Sequence, residues 1–122
     1  MDECHLCKCN RATQSHHVIL RKECKPLEFC DMNQVRLCNE CHDYLHHDRN
    51  GYKLIKKLKL EFQNKLEFLL DKQQLTKEEV NEVLQISEKA LNSLFKTIQS
   101  KGNKYTREDC IRTIMGGKVQ LE

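Results

Sequence analysis

The chain of 122 residues carries 21 Lys and Arg against 18 Asp and Glu, a formal net charge of +3. Its length suits one small domain, or a small domain with an extension, and 39% apolar residues allow only a modest core. A mean hydropathy of −0.72, with no apolar run near the roughly 18 residues that a spanning helix needs, excludes a membrane protein.

Cysteine and histidine usage is the unusual feature. Seven of the eight cysteines and all six histidines lie within the first 47 residues. The start, Met1-Asp2-Glu3-Cys4, has neither a basic stretch nor an apolar one, so no signal peptide is expected. The expected compartment is the reducing cytoplasm, where disulfides are disfavoured and metal ligation is the better use for cysteines. Charge divides at the same place: residues 1–50 carry a net −1 and residues 51–122 a net +4. The expected organisation is therefore a metal-stapled module over 1–50 and a helical extension over 51–122.

Cys4-His5-Leu6-Cys7 is the first of two C-x-x-C pairs, and Cys38-Asn39-Glu40-Cys41 follows after thirty intervening residues. Two such pairs supply the four thiolates of a tetrahedral structural Zn²⁺ site. A thioredoxin-like dithiol needs only one pair and a βαβ context that is absent. A RING-like cross-brace needs a second site with interleaved pairs. A module of some 50 residues gains folding free energy directly from such a metal. Cys9 stands close enough to Cys7 to compete as a ligand, whereas Cys24 and Cys30 read as small buried hydrophobes or free thiols. Cys110 stands alone in the extension.

Between the pairs, the β-prone run Gln14–Leu20 bears the pair His16-His17, and Asn33–Leu37 alternates polar with apolar residues as a second strand does. Adjacent strand residues face opposite ways, so His16 and His17 should not bind one ion. His42–His47 is expected to form a short helix after the second C-x-x-C. There His42 and His46, four residues apart, share a face and can ligate together, while His47 is rotated away. One strand histidine and two helical ones would form an open site, with places left for water and phosphate.

Three helices are expected in the extension. The first spans about Lys53 to Leu70, with Ile55, Leu58, Phe62, Leu66 and Leu69 on one face. Thr76-Lys77-Glu78-Glu79 is a capping box that starts the second, whose stripe Val80, Val83, Leu84, Ser87, Leu91, Leu94 and Ile98 runs towards a stop at Lys101-Gly102. The two stripes imply a helical hairpin, packed internally or against a second copy as a homodimer. The third helix runs from Thr106 as N-cap to Met115, before Gly116-Gly117. Lys53, Lys56, Lys57 and Lys59, with Arg21 and Lys22 in the hairpin loop, are candidate phosphate contacts. An ordinary solvated lysine face is the competing reading.

Taken together, Ser15-His16-His17-Val18-Ile19, Asn33 and Leu37-Cys38-x-x-Cys41-His42-x-x-x-His46 resemble the HNH endonuclease family, in its zinc-stapled subtype. The resemblance covers about residues 4–50. It implies an α+β architecture: a zinc-stapled, treble-clef-like ββα-metal module, followed by a helical tail. It implies that His16, His42 and His46 hold a catalytic divalent ion (Mg²⁺, Mn²⁺, Ni²⁺ or Zn²⁺). It implies further that His17 is the general base and that Asn33 constrains the loop and orients that base. Arg11 is the candidate for an upstream phosphate contact, and Leu20-Arg21 stands where many members have a proline. The implied partner is DNA and the implied reaction phosphodiester hydrolysis, as an endonuclease or nickase. Small stand-alone members are frequent in phages. The contrasting expectation is a non-catalytic module that binds nucleic acid or protein on the same scaffold.

Overall fold

Antiparallel pairing of Gln14–His17 (β1) with Gln34–Leu37 (β2) opens the fold, in a register that sets His16 opposite Val35 and His17 opposite Gln34. The structure, a computed structural model, describes residues 3–120; Met1 and Asp2, read above for a targeting signal, and the last two residues of the extension lie outside them. β1 is shorter than the run 14–20 suggests. After His17 the Asn33 side chain takes over from the ladder: its Oδ1 accepts from the Ile19 amide at 2.7 Å and its Nδ2 donates to the Ile19 carbonyl at 2.9 Å. Asn33 itself ends a 3₁₀ turn, Asp31–Asn33, and does not begin β2.

The helix α1, Asn39–His47, starts earlier than expected, so that Cys41 lies within its first turn. Cys38 is its N-cap, with Sγ accepting from the Cys41 amide at 3.4 Å. The next helix, α2, spans Gly51–Leu69 and buries Leu58, Phe62 and Leu66. Its start must be glycine for reasons of space, since a Cβ on Gly51 would sit 2.5 Å from the Leu45 carbonyl oxygen. Ile55 is half-buried, and Leu69, assigned above to the inner stripe, is exposed.

The expected second helix is two helices. Thr76 and Glu79 make the reciprocal capping box, and α3 covers Lys77–Leu84. It ends at Gln85, whose φ of 53° is left-handed, and α4 begins afresh at Glu88–Phe95 with the Ser87 hydroxyl accepting from the Ala90 amide. Asn81 holds the break by bonding both the amide and the carbonyl of Ile86. The long two-helix hairpin is therefore not formed as expected. A serine within the apolar stripe is a cap, because its hydroxyl competes with the backbone for amide hydrogens.

The last helix, α5, spans Arg107–Ile114 behind a Thr106 N-cap, close to the expected limits. Two-residue strands Gln74–Leu75 (β3) and Tyr105–Thr106 (β4), which no periodicity announces, pair antiparallel. Arg107 then donates from its guanidinium to the carbonyls of Glu67 and Leu70, joining α5 to the end of α2. The described chain is thus a small α+β protein of two two-stranded sheets and five helices. One buried cluster holds side chains from both sides of residue 50, from Cys4, Ile19, Leu37 and Leu45 to Phe62, Val80, Leu94 and Ile114. Cys24, Cys30 and Cys110 lie in it, and burial pushes all three thiols up, Cys24 and Cys110 to about 11. Among the described residues no helix is long and apolar enough to cross a membrane.

Candidate metal centres

Cys4, Cys7, Cys38 and Cys41 converge, with their four sulfurs all within 4.8 Å of one another. The first pair reaches this place through a tight turn in which the Lys8 amide donates to the Cys4 carbonyl and Lys8 has a φ of 58°. The second pair sits at the start of α1. Cys7 and Cys38 stand 3.9 Å apart, close to the roughly 3.8 Å between ligands that a tetrahedral Zn–S distance of about 2.3 Å requires. At Cys4 burial resists ionisation, but amide hydrogens of Cys38, Cys7 and Leu6 outweigh it and bring the thiol down to about 6. The Cys41 amide similarly lowers Cys38, which also accepts from Asn10 Nδ2 at 3.6 Å. Cys41 moves the other way, through desolvation and the crowding of the other thiols. Four sulfurs so packed can share negative charge only around a cation, so the donor set fits a metal ion such as zinc. Cys9, the possible competitor, is exposed and stands outside the group.

The structure brings a second group together: His16 from β1 with His42 and His46 from α1, one ring nitrogen of each within 4.8 Å of the others. Ring centroids are separated by 4.6 Å for His42–His46, 5.6 Å for His16–His46 and 5.9 Å for His16–His42. The three grade outward, from His16, only 5% exposed, through half-buried His42 to exposed His46. Burial, reinforced by His46 and His42, lowers His16 to about 4, and burial with His46 also lowers His42. Neutral imidazoles offer a lone pair, which is the form that ligates. The set is one-sided, so an ion there would keep positions open to solvent. His47 points elsewhere and pairs with Asp43 at 3.5 Å, while His5 pairs with Glu61 at 3.0 Å.

His17 takes the other face of β1, half-buried, with Nε2 2.8 Å from the Glu28 carbonyl oxygen. A proton on Nε2 makes that bond and leaves Nδ1 with its lone pair. Asn33, wholly buried, bonds Ile19 on one side of the connecting loop and the Leu27 carbonyl on the other, at 3.2 Å. The loop that supplies the Glu28 carbonyl is thereby anchored through Leu27. Neither Glu28 nor its role is visible in the sequence, because a backbone acceptor leaves no trace in residue type.

The basic candidates are dispersed. Arg11 is exposed beside the first C-x-x-C, Arg21 pairs with Glu28 at 3.5 Å, and Lys22 is exposed in the same loop. Lys53, Lys56 and Lys57 are exposed on α2. Lys59 behaves differently: it is only 18% exposed and bonds Glu23 at 2.7 Å, a packing role in place of a solvated one.

Comparison of the chain with family models, with curated proteins and with solved structures returns no match.

Proposed function

We propose that the chain is a metal-dependent DNA nuclease of the HNH type, built on a zinc-stapled, treble-clef-like ββα unit. The observation that carries this reading is the division of labour between adjacent strand residues. His16 joins His42 and His46 in an open cluster, while His17 is held on the opposite face by the Glu28 carbonyl. A module that only binds has no need of a restrained imidazole there.

His16, His42 and His46 would hold a divalent ion, which would supply electrostatic stabilisation for the charge on the phosphoryl group and the departing 3′-oxygen. His17, donating from Nε2 to Glu28, takes a proton from water at Nδ1. The water oxygen bonds to phosphorus, the P–O3′ bond breaks, and the products are a 5′-phosphate and a 3′-hydroxyl protonated from solvent. Asn33 keeps the loop in place so that His17 has one orientation. The four cysteines would fasten the first turn of α1, which carries His42, to the Cys4–Lys8 turn.

Incubation of supercoiled plasmid with Mg²⁺, Mn²⁺ or Ni²⁺ tests the proposal. The parent nicks or linearises the plasmid, and His17→Ala lowers the rate by about 10²–10⁴-fold, the usual contribution of a general base, with metal binding unchanged. Equal rates in both proteins would remove His17 from the mechanism. A gel shift without cleavage in any metal would replace the nuclease with a non-catalytic nucleic-acid-binding module.

A further inference from the structure

A cleft of about 490 Å³ opens between the first C-x-x-C turn, β2 and α2, lined by His5, Lys8, Gln34, Arg36 and Lys65, with Glu3 as its acid. The edge of β2 that faces it is the one not paired with β1, and there the Arg36 carbonyl accepts from the His5 amide at 2.9 Å. Lys65 is exposed on α2, further along the helix than Lys53, Lys56 and Lys57, whereas Lys8 and Arg36 belong to neither α2 nor the β1–β2 loop.

Two further observations give the cleft a direction and a ligand. First, the cross-strand register sets Ser15, His17, Gln34 and Arg36 on one face of the sheet. Three of them are linked, with Arg36 Nη1 donating to Ser15 Oγ at 3.4 Å and Ser15 Oγ donating to Gln34 Oε1 at 3.2 Å. Gln34, opposite His17, and Arg36, opposite Ser15, both line the cleft, which therefore borders the face on which His17 stands. Second, Lys8 occupies a left-handed position, φ 58°, that glycine adopts freely and lysine does not. The turn alone would favour glycine; the residue present lends an ammonium group to the cleft.

We infer that this cleft holds the phosphodiester backbone of the nucleic-acid strand that runs past His17, with Lys8, Arg36 and Lys65 as its phosphate contacts. The inference rests on the nuclease reading and names the path of its substrate. Three cationic side chains around an open cleft suit a ligand with regularly repeating negative charge. Glu3 and the Glu61 partner of His5 keep the groove from being uniformly basic, so the contacts fall at defined points along it.

The test is fluorescence anisotropy with a short fluorescein-labelled DNA duplex, read between about 50 and 200 mM salt. The full-length zinc-loaded protein is used in a His17→Ala background, so that the probe is not consumed. Each phosphate contact contributes about 0.9 to the slope of log K against log salt. The triple variant Lys8→Gly, Arg36→Gln, Lys65→Gln is expected to lose about 2–3 from that slope. A control of equal charge change, Lys101→Gln, Lys104→Gln, Lys118→Gln, none of them lining the cleft, retains it. Lys8→Gly alone is expected to melt no lower than its parent, because glycine relieves the left-handed turn, yet to lose about 0.9 of slope. That combination separates lost contact from lost fold.

The inference is overturned if the triple variant binds with the parent's slope, if both triples lose the same slope, or if the parent binds no DNA at any salt. Cleavage by the otherwise native protein together with an unchanged slope would leave the nuclease standing and remove the cleft. Cleft-dependent binding with no cleavage in any metal would keep the cleft and remove the nuclease.

Discussion

Asn33→Ala is the substitution whose cost the structure states most directly. Its side chain is fully buried and makes three bonds, from the Ile19 amide at 2.7 Å and to the carbonyls of Ile19 at 2.9 Å and Leu27 at 3.2 Å. Those bonds are not equal in consequence. The Leu27 carbonyl also accepts from the Cys30 amide at 3.1 Å, so it keeps a partner when Asn33 is truncated. Both polar groups of Ile19 lose their Asn33 bonds, in a residue only 1% exposed. A buried donor left unmade costs about 1–3 kcal/mol and a weakened carbonyl about 1 more, so the expected loss is about 2–4 kcal/mol. Urea unfolding followed by circular dichroism, at equal free zinc because metal that binds only the folded state adds stability, should move the midpoint down by about 1–3 M. Asn33→Asp should not rescue it, since a carboxylate restores the acceptor for Ile19 but faces two carbonyls where a donor stood. A loss under about 0.5 kcal/mol, within the range of an ordinary surface change, would refute the assignment of Asn33 as the lock on this loop.

Three further outcomes are expected. Cys38→Ala removes both a sulfur of the four-cysteine group and the cap of α1, so Co²⁺ titration should lose its tetrahedral thiolate spectrum and the module should unfold in chelator; a variant as stable in chelator as the parent would sink the zinc assignment. Gly51→Ala forces a Cβ to within 2.5 Å of the Leu45 oxygen and 2.6 Å of the Tyr44 oxygen, which are backbone atoms that yield only if α1 and α2 shift; a destabilisation of about 1–3 kcal/mol is expected in thermal melts. The Lys59 ammonium and the Leu20 amide outweigh burial at Glu23 and hold its carboxyl below the usual range. Because the folded-state value is the lower one, this stabilisation is present above about pH 4.5 and is lost as pH falls through the depressed value. Glu23→Gln should therefore be less stable than the parent near neutrality and lose less on acidification, and parallel losses in both proteins would remove the ion pair from the acid response.

How much of this was legible in the residues depended on the range of the interaction concerned. The two C-x-x-C pairs, the capping box at Thr76 and the cap at Thr106 all act over three or four residues, and the structure has each helix start where its cap stands. The i, i+4 relation of His42 and His46 was readable for the same reason. Apolar spacing by itself runs straight through the break at Gln85-Ile86-Ser87, because it passes over the serine. The cap at Ser87 and the Asn81 side chain, both local, were the signal that could have found it. Lysine is normally solvated, so in the sequence Lys59 is indistinguishable from its exposed neighbours; its partner Glu23 lies 36 residues away, and no local pattern names it.

By itself, then, the sequence determined which side chains could ligate, which turns could start helices, and that His16 and His17 must face apart, since these follow from residue type and the periods of strand and helix. Only the tertiary structure decided that β1 stops at His17, that a carbonyl of Glu28 restrains that histidine, and that Lys8, Arg36 and Lys65 line one cleft. It also decided the β3–β4 pairing and the Arg107 tie to α2. Each of those depends on backbone groups or on residues brought together from distant positions. A backbone carbonyl is the same chemical group at every residue, and only the path of the chain gives it a partner.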